Sequence, residues 1–156
     1  GGVAEATARS GDDSPLRLSG LALTGANRRA DAPADAEDGV LTAEELAALD
    51  LGGVEWAVLS ACDTGVGEIG RSEGVFGLRR ALQVAGVRTV LSSLWSVEDE
   101  STRRWMAALY RHRLGGEDTA ASVNGAMRDE LARRRAAGES THPFHWAGFV
   151  ASGDWR

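Results

Sequence analysis

The single cysteine is the residue in this chain best suited to covalent chemistry. Cys62 lies in residues 59–65 (LSACDTG), where an apolar run ends and a glycine-rich turn begins. A thiol at the end of a strand is exposed at the edge of the sheet, near backbone N–H groups that can hold an oxyanion. As a thiolate it can attack a carbonyl carbon if a base, usually a histidine, removes its proton. The alternative is that Cys62 is an inert small hydrophobic residue that ends a strand.

The three histidines, His112, His142 and His145, supply neither an obvious base nor a metal site. Their spacing matches no zinc-binding pattern, and one cysteine cannot complete a cysteine-rich site or an internal disulfide. We therefore expect no metal and no cofactor. His112 lies in a helical segment and is interpreted as solvated, whereas the other two flank a turn.

Three apolar runs predict the strands that must position Cys62. They cover residues 56–61, 87–94 and 146–151, and segments with helical periodicity separate them. This alternation is typical of an α/β fold with a mainly parallel sheet and helices on both faces. A typical sheet has about 5–6 strands. The sequence therefore predicts a sheet that is incomplete at its N-terminal side.

Helix signals are clear between these runs. Thr42 and Glu45 form a capping-box pattern that predicts a helix to about Leu49. Three further helices are expected, and a short edge strand is expected near residues 18–23. The first of these helices has Ser72 as its cap, before apolar Val75, Leu78, Leu82 and Ala85. The second has Ser96 to Asp99 as its cap, before inward-facing Trp105, Leu109 and Tyr110. The third carries a stripe of Val123, Met127 and Leu131.

Composition excludes several classes of function. The net charge of −6 argues against a nucleic-acid partner, and all 17 basic residues are Arg, so lysine-based catalysis is excluded. No apolar run is long enough to span a bilayer and no signal peptide is visible, which predicts a cytoplasmic protein without membrane contact. Residues 65–70 (GVGEIG) match a dinucleotide-binding pattern formally, but residues 62–64 separate them from the strand, which argues against nucleotide binding.

The beginning of the chain predicts that it is part of a longer protein. It starts Gly1-Gly2, and its two methionines lie far inside. Residues 1–15 are small and polar and are interpreted as a flexible tail, followed by one domain over residues 16–156.

Several separated motifs resemble CHAT domains, which are caspase-like (clan CD) domains related to separase and commonly joined to tetratricopeptide repeats. The motifs occur in the order expected for that family and cover about residues 16–155. They are residues 19–27 (SGLALTGAN), 38–44 (DGVLTAE), 59–65 (LSACDTG), 73–80 (EGVFGLRR), 85–86 (AG), 93–99 (SLWSVED), 142–150 (HPFHWAGFV) and 152–154 (SGD).

The resemblance implies a caspase-like three-layer sandwich and a cysteine endopeptidase, with residues 16–156 forming the C-terminal part of the domain. Cys62 would be the nucleophile and its own N–H would help to bind the oxyanion, while Asp63 and Gly65 would shape the following turn. The family's catalytic histidine lies upstream of the motif at residues 19–27, and none of the three histidines matches it. The resemblance therefore implies that the N-terminal part of the same domain supplies the base and that this chain alone is inactive.

Residues 93–99 carry a second implication, because separases have a similar segment whose acidic end binds an arginine side chain of the substrate. By this resemblance Asp99, or failing that Glu98, would line a pocket for a basic residue before the cleaved bond. The alternative is that Ser96 caps the next helix and both acids stabilise its first turn, and the two interpretations are compatible. For the whole protein the alternative to a peptidase is a non-catalytic signalling module that binds tetratricopeptide repeats or a regulatory partner.

Overall fold

The computed structural model describes residues 19–31, 33, 38–60 and 70–155, with backbone alone at 29–31 and 70–75. These residues belong to two compact units. One contains residues 19–57 and 70–88, and the other contains residues 58–60 and 89–155. No helix within the described ranges is long and apolar enough to cross a membrane.

The first unit begins with a small hairpin and a capped helix. Strand β1 (Gly20–Ala22) pairs antiparallel with β2 (Val40–Thr42), and a 3-10 segment (Ala26–Asp31) lies between them. Helix α1 (Ala43–Ala47) has the expected capping box, because the Glu45 amide donates to Thr42 Oγ1 at 3.2 Å and the Thr42 amide donates to Glu45 Oε2 at 2.8 Å. The edge strand and the cap were both predicted, whereas β2 was not.

Helix α2 (Gly70–Val84) begins two residues before Ser72, so the prediction that Ser72 caps the helix is wrong. Its buried side chains include Leu78 and Leu82, as the periodicity predicts. The helix ends in a Schellman motif, in which the Val87 amide donates to the Leu82 carbonyl at 3.0 Å and the Gly86 amide donates to the Gln83 carbonyl at 3.2 Å. Gly86 has a φ of 105°, which favours glycine at this position.

The second unit contains a three-stranded sheet. Its order is β3 (Trp56–Leu59), β4 (Thr89–Ser93) and β5 (Phe149–Gly153), and β3 continues into it from the first unit. All five residues of β4 are buried because this strand lies between two others. β3 was expected to be buried on both faces, but all four of its residues are half-buried. β5 begins three residues later than its apolar run predicts.

Two helices connect β4 to β5 and determine the direction of β5. Helices α3 (Asp99–Leu114) and α4 (Thr119–Ala136) are joined by four residues, 115–118. They are antiparallel, because Ser101 near the start of α3 accepts a hydrogen bond from Arg134 near the end of α4, whereas His112 near the end of α3 lies against Gly125 in the first half of α4. An antiparallel helix pair returns the chain to the end of the sheet that it left, so β5 runs antiparallel to β4, with Ser93 opposite Phe149 and Thr89 opposite Gly153.

The core of this unit lies between the helices and the sheet. The Trp105 ring on α3 stacks on the Phe149 ring of β5, with centroids 4.2 Å apart. Leu109 is completely buried, as predicted. The prediction that Tyr110 faces inward is wrong, since this residue is 48% exposed.

Helix α4 packs with a different stripe from the predicted one. Val123, Met127 and Leu131 are only half-buried. The buried side of the helix consists of small, polar and charged residues: Thr119, Ser122, Ala126, Glu130 and Arg134. The apolar period fails here because the charged groups on this side pair across the helix interface, which removes most of the cost of burying them.

Taken together, the described elements are of the α/β class with mixed sheets, which agrees with the content expected of a caspase-like fold.

Candidate active site

The predicted nucleophile and its neighbours in sequence lie outside the described residues. β3 ends at Leu59, and Ser60 is the last residue described before this gap. Cys62, Asp63 and Gly65 fall within it, so the roles that the sequence assigns to them stay predictions. The structure does describe the neighbouring strand β4 and the segment that leaves it.

Two segments meet at the carboxyl end of β4. Residues 94–98 leave this strand, and residues 143–148 lead into β5, whose first residue is opposite Ser93 because the two strands are antiparallel. The Leu94 amide donates to the Gly148 carbonyl at 2.7 Å, which extends the pairing one step beyond the strands. The part of the chain predicted to bind substrate therefore rests on the segment before β5.

Aromatic side chains hold the two segments together. Trp95 Nε1 donates to the Phe144 carbonyl at 2.9 Å, and the two rings stack with centroids 5.9 Å apart and an interplanar angle of 11°. The His145 ring meets the Phe144 ring edge-on, with centroids 5.6 Å apart. We call these two aromatic residues, Trp95 and Phe144, the aromatic clasp.

The carboxylates predicted to bind substrate lie at the start of α3. Glu98 is the N-cap residue, its side chain makes no capping hydrogen bond, and Ser101 Oγ donates to its Oε2 at 3.2 Å. Asp99 is the first helical residue and is exposed. The prediction that Ser96 caps this helix is wrong, because the helix starts three residues after it. The first-turn position expected of Asp99 is confirmed, whereas Glu98 is the N-cap residue just before the turn.

The third acid of this turn, Glu100, is engaged by arginines. Arg103 donates to both carboxylate oxygens of Glu100, at 2.8 and 2.6 Å, and Arg104 donates to one of them at 3.1 Å. The hydrogen bond from Arg103, followed by the charges of both arginines, lowers the pKa of Glu100 to about 2 although partial burial opposes this. Among the described residues, the side chain of Asp99 has no hydrogen-bond or ion-pair partner. It is the carboxylate of this turn best placed to receive a cation.

None of the histidines adjoins these carboxylates in a described contact. His142 is exposed, and its Nδ1 accepts the Phe144 amide hydrogen at 3.2 Å, which caps the 3-10 turn Pro143–His145. His112 was expected to be solvated, but its side chain is only 22% exposed. It lies between two carboxylates, with Nδ1 2.8 Å from Glu117 Oε1 and Nε2 3.2 Å from Asp129 Oδ2. The hydrogen bond to Glu117 is the main reason why the pKa of His112 is raised.

The stretch from Arg128 to Arg135, whose sequence predicts a solvated helix face, is solvated only in part: Arg128, Asp129 and Arg135 are exposed, but two of its charged residues are buried. Glu130 is 3% exposed and Arg134 is 5% exposed, and the atoms of their ion pair lie 3.2 Å apart. Arg104 and Arg133 donate to the same carboxylate at 3.0 to 3.3 Å. Burial alone raises the pKa of Glu130, but the hydrogen bonds from Arg133 and Arg104 outweigh it, so the net shift is downward.

Sequence reasoning missed the aromatic clasp. It also missed the cluster formed by Glu130 with Arg104, Arg133 and Arg134, which we call the charged seam. The two clasp residues are 49 positions apart, so no local period links them. The i,i+4 spacing of Glu130 and Arg134 was visible, but it also fits an exposed helix face. No group of three or more potential metal ligands occurs within the ranges that the structure describes.

The elements and the exposed acidic turn define an α/β domain with a possible ligand site at the carboxyl end of β4. Comparison with known proteins gives the family. The model of the CHAT domain matches residues 5–154, so the chain belongs to the CHAT domain family.

Similar proteins include tetratricopeptide repeat protein 28 of Mus musculus, which is 32% identical over 114 residues, and its Homo sapiens counterpart, which is 33% identical over 82 residues. The matches cover 73% and 53% of this chain. They span only 4% and 3% of those much longer proteins.

Proposed function

We propose that this CHAT domain is a cysteine endopeptidase in which Cys62 is the nucleophile. The family match over residues 5–154 carries the proposal, because it supports the assignment of the motif at 59–65 to the nucleophile position of a caspase-like domain. The sheet order supports it further, since β3, which precedes Cys62, adjoins β4, which precedes the acidic turn. With the parallel order predicted from the sequence, both segments leave the sheet at the same edge.

The proposed reaction has two steps. The Cys62 thiolate attacks the carbonyl carbon of the cleaved peptide bond, and backbone N–H groups stabilise the oxyanion of the tetrahedral intermediate. The C–N bond then breaks, the amine leaves with a proton from an imidazolium, and a thioester remains on the sulfur. Water, deprotonated by the same imidazole, hydrolyses the thioester and releases the new carboxylate and the thiol. We propose that this histidine belongs to a segment outside these 156 residues, since no histidine of the chain matches the family's position.

Asp99 is proposed to give the enzyme a preference for arginine before the cleaved bond. A guanidinium is planar and always charged, and it forms two parallel hydrogen bonds with a carboxylate. The absence of a competing partner for Asp99 among the described residues supports its choice over Glu98, which accepts from Ser101, and over Glu100, which binds two arginines.

The test compares peptide cleavage by the full-length protein and its variants. Substrates carry arginine or its neutral isostere citrulline before the cleaved bond. We expect the wild type to prefer arginine, Cys62→Ala to cleave neither peptide, and Asp99→Asn to lose most of the preference, about tenfold or more for one charge-assisted pair at about 1.5–3 kcal/mol. Glu100→Gln is the matched control and should keep the preference. Cleavage that survives in Cys62→Ala would end the peptidase assignment, and an unchanged preference in Asp99→Asn would end the pocket assignment.

A second candidate is a non-catalytic module that signals by binding a partner protein. The similarity to two proteins named for tetratricopeptide repeats supports this possibility. In either case repeats of this kind, or another regulatory protein, are the proposed partner, and the cytoplasm is the proposed compartment. An upstream histidine together with a Cys62 that stays unreactive under all activating conditions would favour the module.

A further inference from the structure

Gly148 lies where the segment before β5 comes closest to the segment that leaves β4. A Cβ atom at this position would be 2.6 Å from Val97 Cγ2 and 3.3 Å from Trp95 Nε1. Cβ atoms essentially never come within 3.0 Å of another heavy atom, so any side chain here must move its neighbours. Gly148 is not one of the glycines with positive φ, so its backbone suits other residues equally well. Only the lack of space requires glycine at this position.

The close contact at Gly148 is one of several contacts that fix the segment carrying the acidic turn. Three attachments join residues 94–97 to residues 144–148: the hydrogen bond from Leu94 to Gly148, the hydrogen bond from Trp95 to Phe144, and the ring stacking of the aromatic clasp. The contact between Val97 and Gly148 follows directly after them and lies two residues before Asp99.

Further along, α3 is anchored by Trp105, which is 2% exposed against the core. Because valine is stiff at χ1, we expect a displacement of its methyl group to be passed to the backbone, and because Trp105 holds the rest of α3 we expect the first turn to absorb it. To restore ordinary contact, a Cβ at position 148 must move the Val97 methyl from 2.6 Å to about 3.4 Å. Since sub-ångström placement governs bidentate recognition, a shift of this size is enough to spoil an arginine site.

We propose that Gly148 is a positioning residue for substrate specificity: by admitting Val97 and Trp95 against its bare backbone, it holds the Asp99 carboxylate where an arginine side chain of the substrate binds. This inference rests on the proposed function for the identity of the ligand. It adds that the specificity is set by the segment before β5, which itself contributes no carboxylate.

The test measures binding rather than turnover, in full-length protein with Cys62→Ala to prevent cleavage. The probes are a fluorescently labelled peptide with arginine at the specificity position and the same peptide with citrulline, and fluorescence anisotropy gives their affinities. We expect Gly148→Ala to reduce the arginine-over-citrulline affinity ratio about tenfold. Adding Val97→Ala removes the methyl group that collides with the new Cβ and should restore the ratio to within about twofold. Gly53→Ala is the control, because a Cβ at Gly53 meets nothing within 4 Å.

A merely structural role would lower the melting temperature and weaken both peptides equally, leaving the ratio unchanged. An unchanged ratio in Gly148→Ala, a loss that Val97→Ala does not restore, or a parent protein without arginine preference would each overturn the inference.

Cleavage by protein with Cys62 intact separates this inference from the proposed function. An arginine preference that depends on Gly148, in a protein that cleaves nothing, removes the peptidase assignment and leaves the positioning role. If the protein cleaves with an arginine preference that Gly148→Ala does not change, the peptidase assignment stands and the positioning role is removed.

Discussion

Replacing Glu130 by Gln should destabilise the second unit, because this carboxylate is the centre of the charged seam between α3 and α4. Its side chain is 3% exposed and accepts hydrogen bonds from Arg104 and Arg133, with the Arg134 guanidinium also in ion-pair contact. The amide is close to the carboxylate in size, so the change removes the charge and leaves the packing nearly intact. The loss in free energy of unfolding therefore measures how much the negative charge of this carboxylate stabilises the surrounding arginine side chains.

The expected size of the effect follows from what remains for each arginine. Breaking a buried pair by removing one partner typically costs about 3–5 kcal/mol. Arg104 and Arg133 are 26% and 33% exposed and keep partners in Glu100 and Glu139. Arg134 is 5% exposed and keeps an ion pair with Glu139 at 3.4 Å and hydrogen bonds to Ser101 and Ser140. We therefore expect the low end, about 3 kcal/mol. At about 2–4 °C per kcal/mol for a chain of this size, this is a loss of about 6–12 °C in Tm.

Urea denaturation between pH 7 and pH 2 tests this reasoning. Because the pKa of Glu130 is lowered in the folded state, its contribution is complete above the ordinary value of 4.5 and disappears as the pH falls through the folded-state value. The difference between wild type and Glu130→Gln should accordingly shrink in acid. Glu100→Gln is the control, since its side chain is 50% exposed and its loss should be far smaller. A variant as stable as wild type at pH 7, or a difference that does not change with pH, would refute the account of the seam.

Two further predictions concern His112 and Gly86. Carboxylates on both sides raise the pKa of His112, and the Glu117 hydrogen bond is the larger cause. The stabilising contribution of His112 is therefore complete below about pH 6.5 and is lost as the pH rises through the folded-state pKa. In NMR titrations Glu117→Gln should lower this pKa more than Asp129→Asn does, and the reverse order would contradict the assigned cause. Gly86→Ala should cost about 2 kcal/mol or more in urea denaturation, because a positive φ is combined with a Cβ 2.9 Å from the Gly52 backbone, whereas Gly138→Ala, with positive φ but open space, should cost only about 1 kcal/mol. Equal losses would show that the collision at Gly86 is relieved.

Local signals in the sequence predicted local structure well. The Thr42 and Glu45 capping box is made within four residues, and Gly86 ends α2 where the apolar period stops. β4 was predicted by an apolar run over residues 87–94, and the part that forms the strand, Thr89–Ser93, is buried throughout. Each of these features is determined by neighbours in the sequence, so a pattern of a few residues is enough to find it.

Features that depend on tertiary pairing were not found. The stripe on α4 was assigned to apolar residues such as Met127, but the buried positions include Glu130 and Arg134, whose partners Arg104 and Ser101 lie on α3. Exposure of Tyr110 likewise depends on which face of α3 packs on the sheet. Hydrophobicity alone cannot predict a face that is buried through ion pairs.

The direction of β5 could have been predicted from features that the sequence already showed. Two helices were expected between the second and third apolar runs, and the glycine pair at 115–116 indicated a short connection. A single crossover helix gives a parallel strand, whereas an antiparallel helix pair gives an antiparallel one. The two helices before β5, instead of one, therefore predict that this strand is antiparallel to β4, although the rest of the sheet was predicted to be mainly parallel.

For the candidate site, the sequence located the acidic turn at the carboxyl end of β4 but not what holds it there. Asp99 was selected because it follows a recognisable strand and because residues 93–99 resemble a separase segment, and its role in binding substrate stays a prediction. The aromatic clasp and the close approach at Gly148 join segments that are about 50 residues apart, and only the fold brings them together.

Covalent labelling of the full-length protein decides whether Cys62 is a catalytic nucleophile. A peptidyl-arginine acyloxymethyl ketone is added, and mass spectrometry locates the adduct, with the citrulline analogue and Asp99→Asn as controls. The account predicts saturable labelling at Cys62 that is at least about tenfold faster for the arginine reagent and loses this advantage in Asp99→Asn. Labelling that is absent, or equally slow with both reagents and no faster than that of an ordinary thiol, would contradict it.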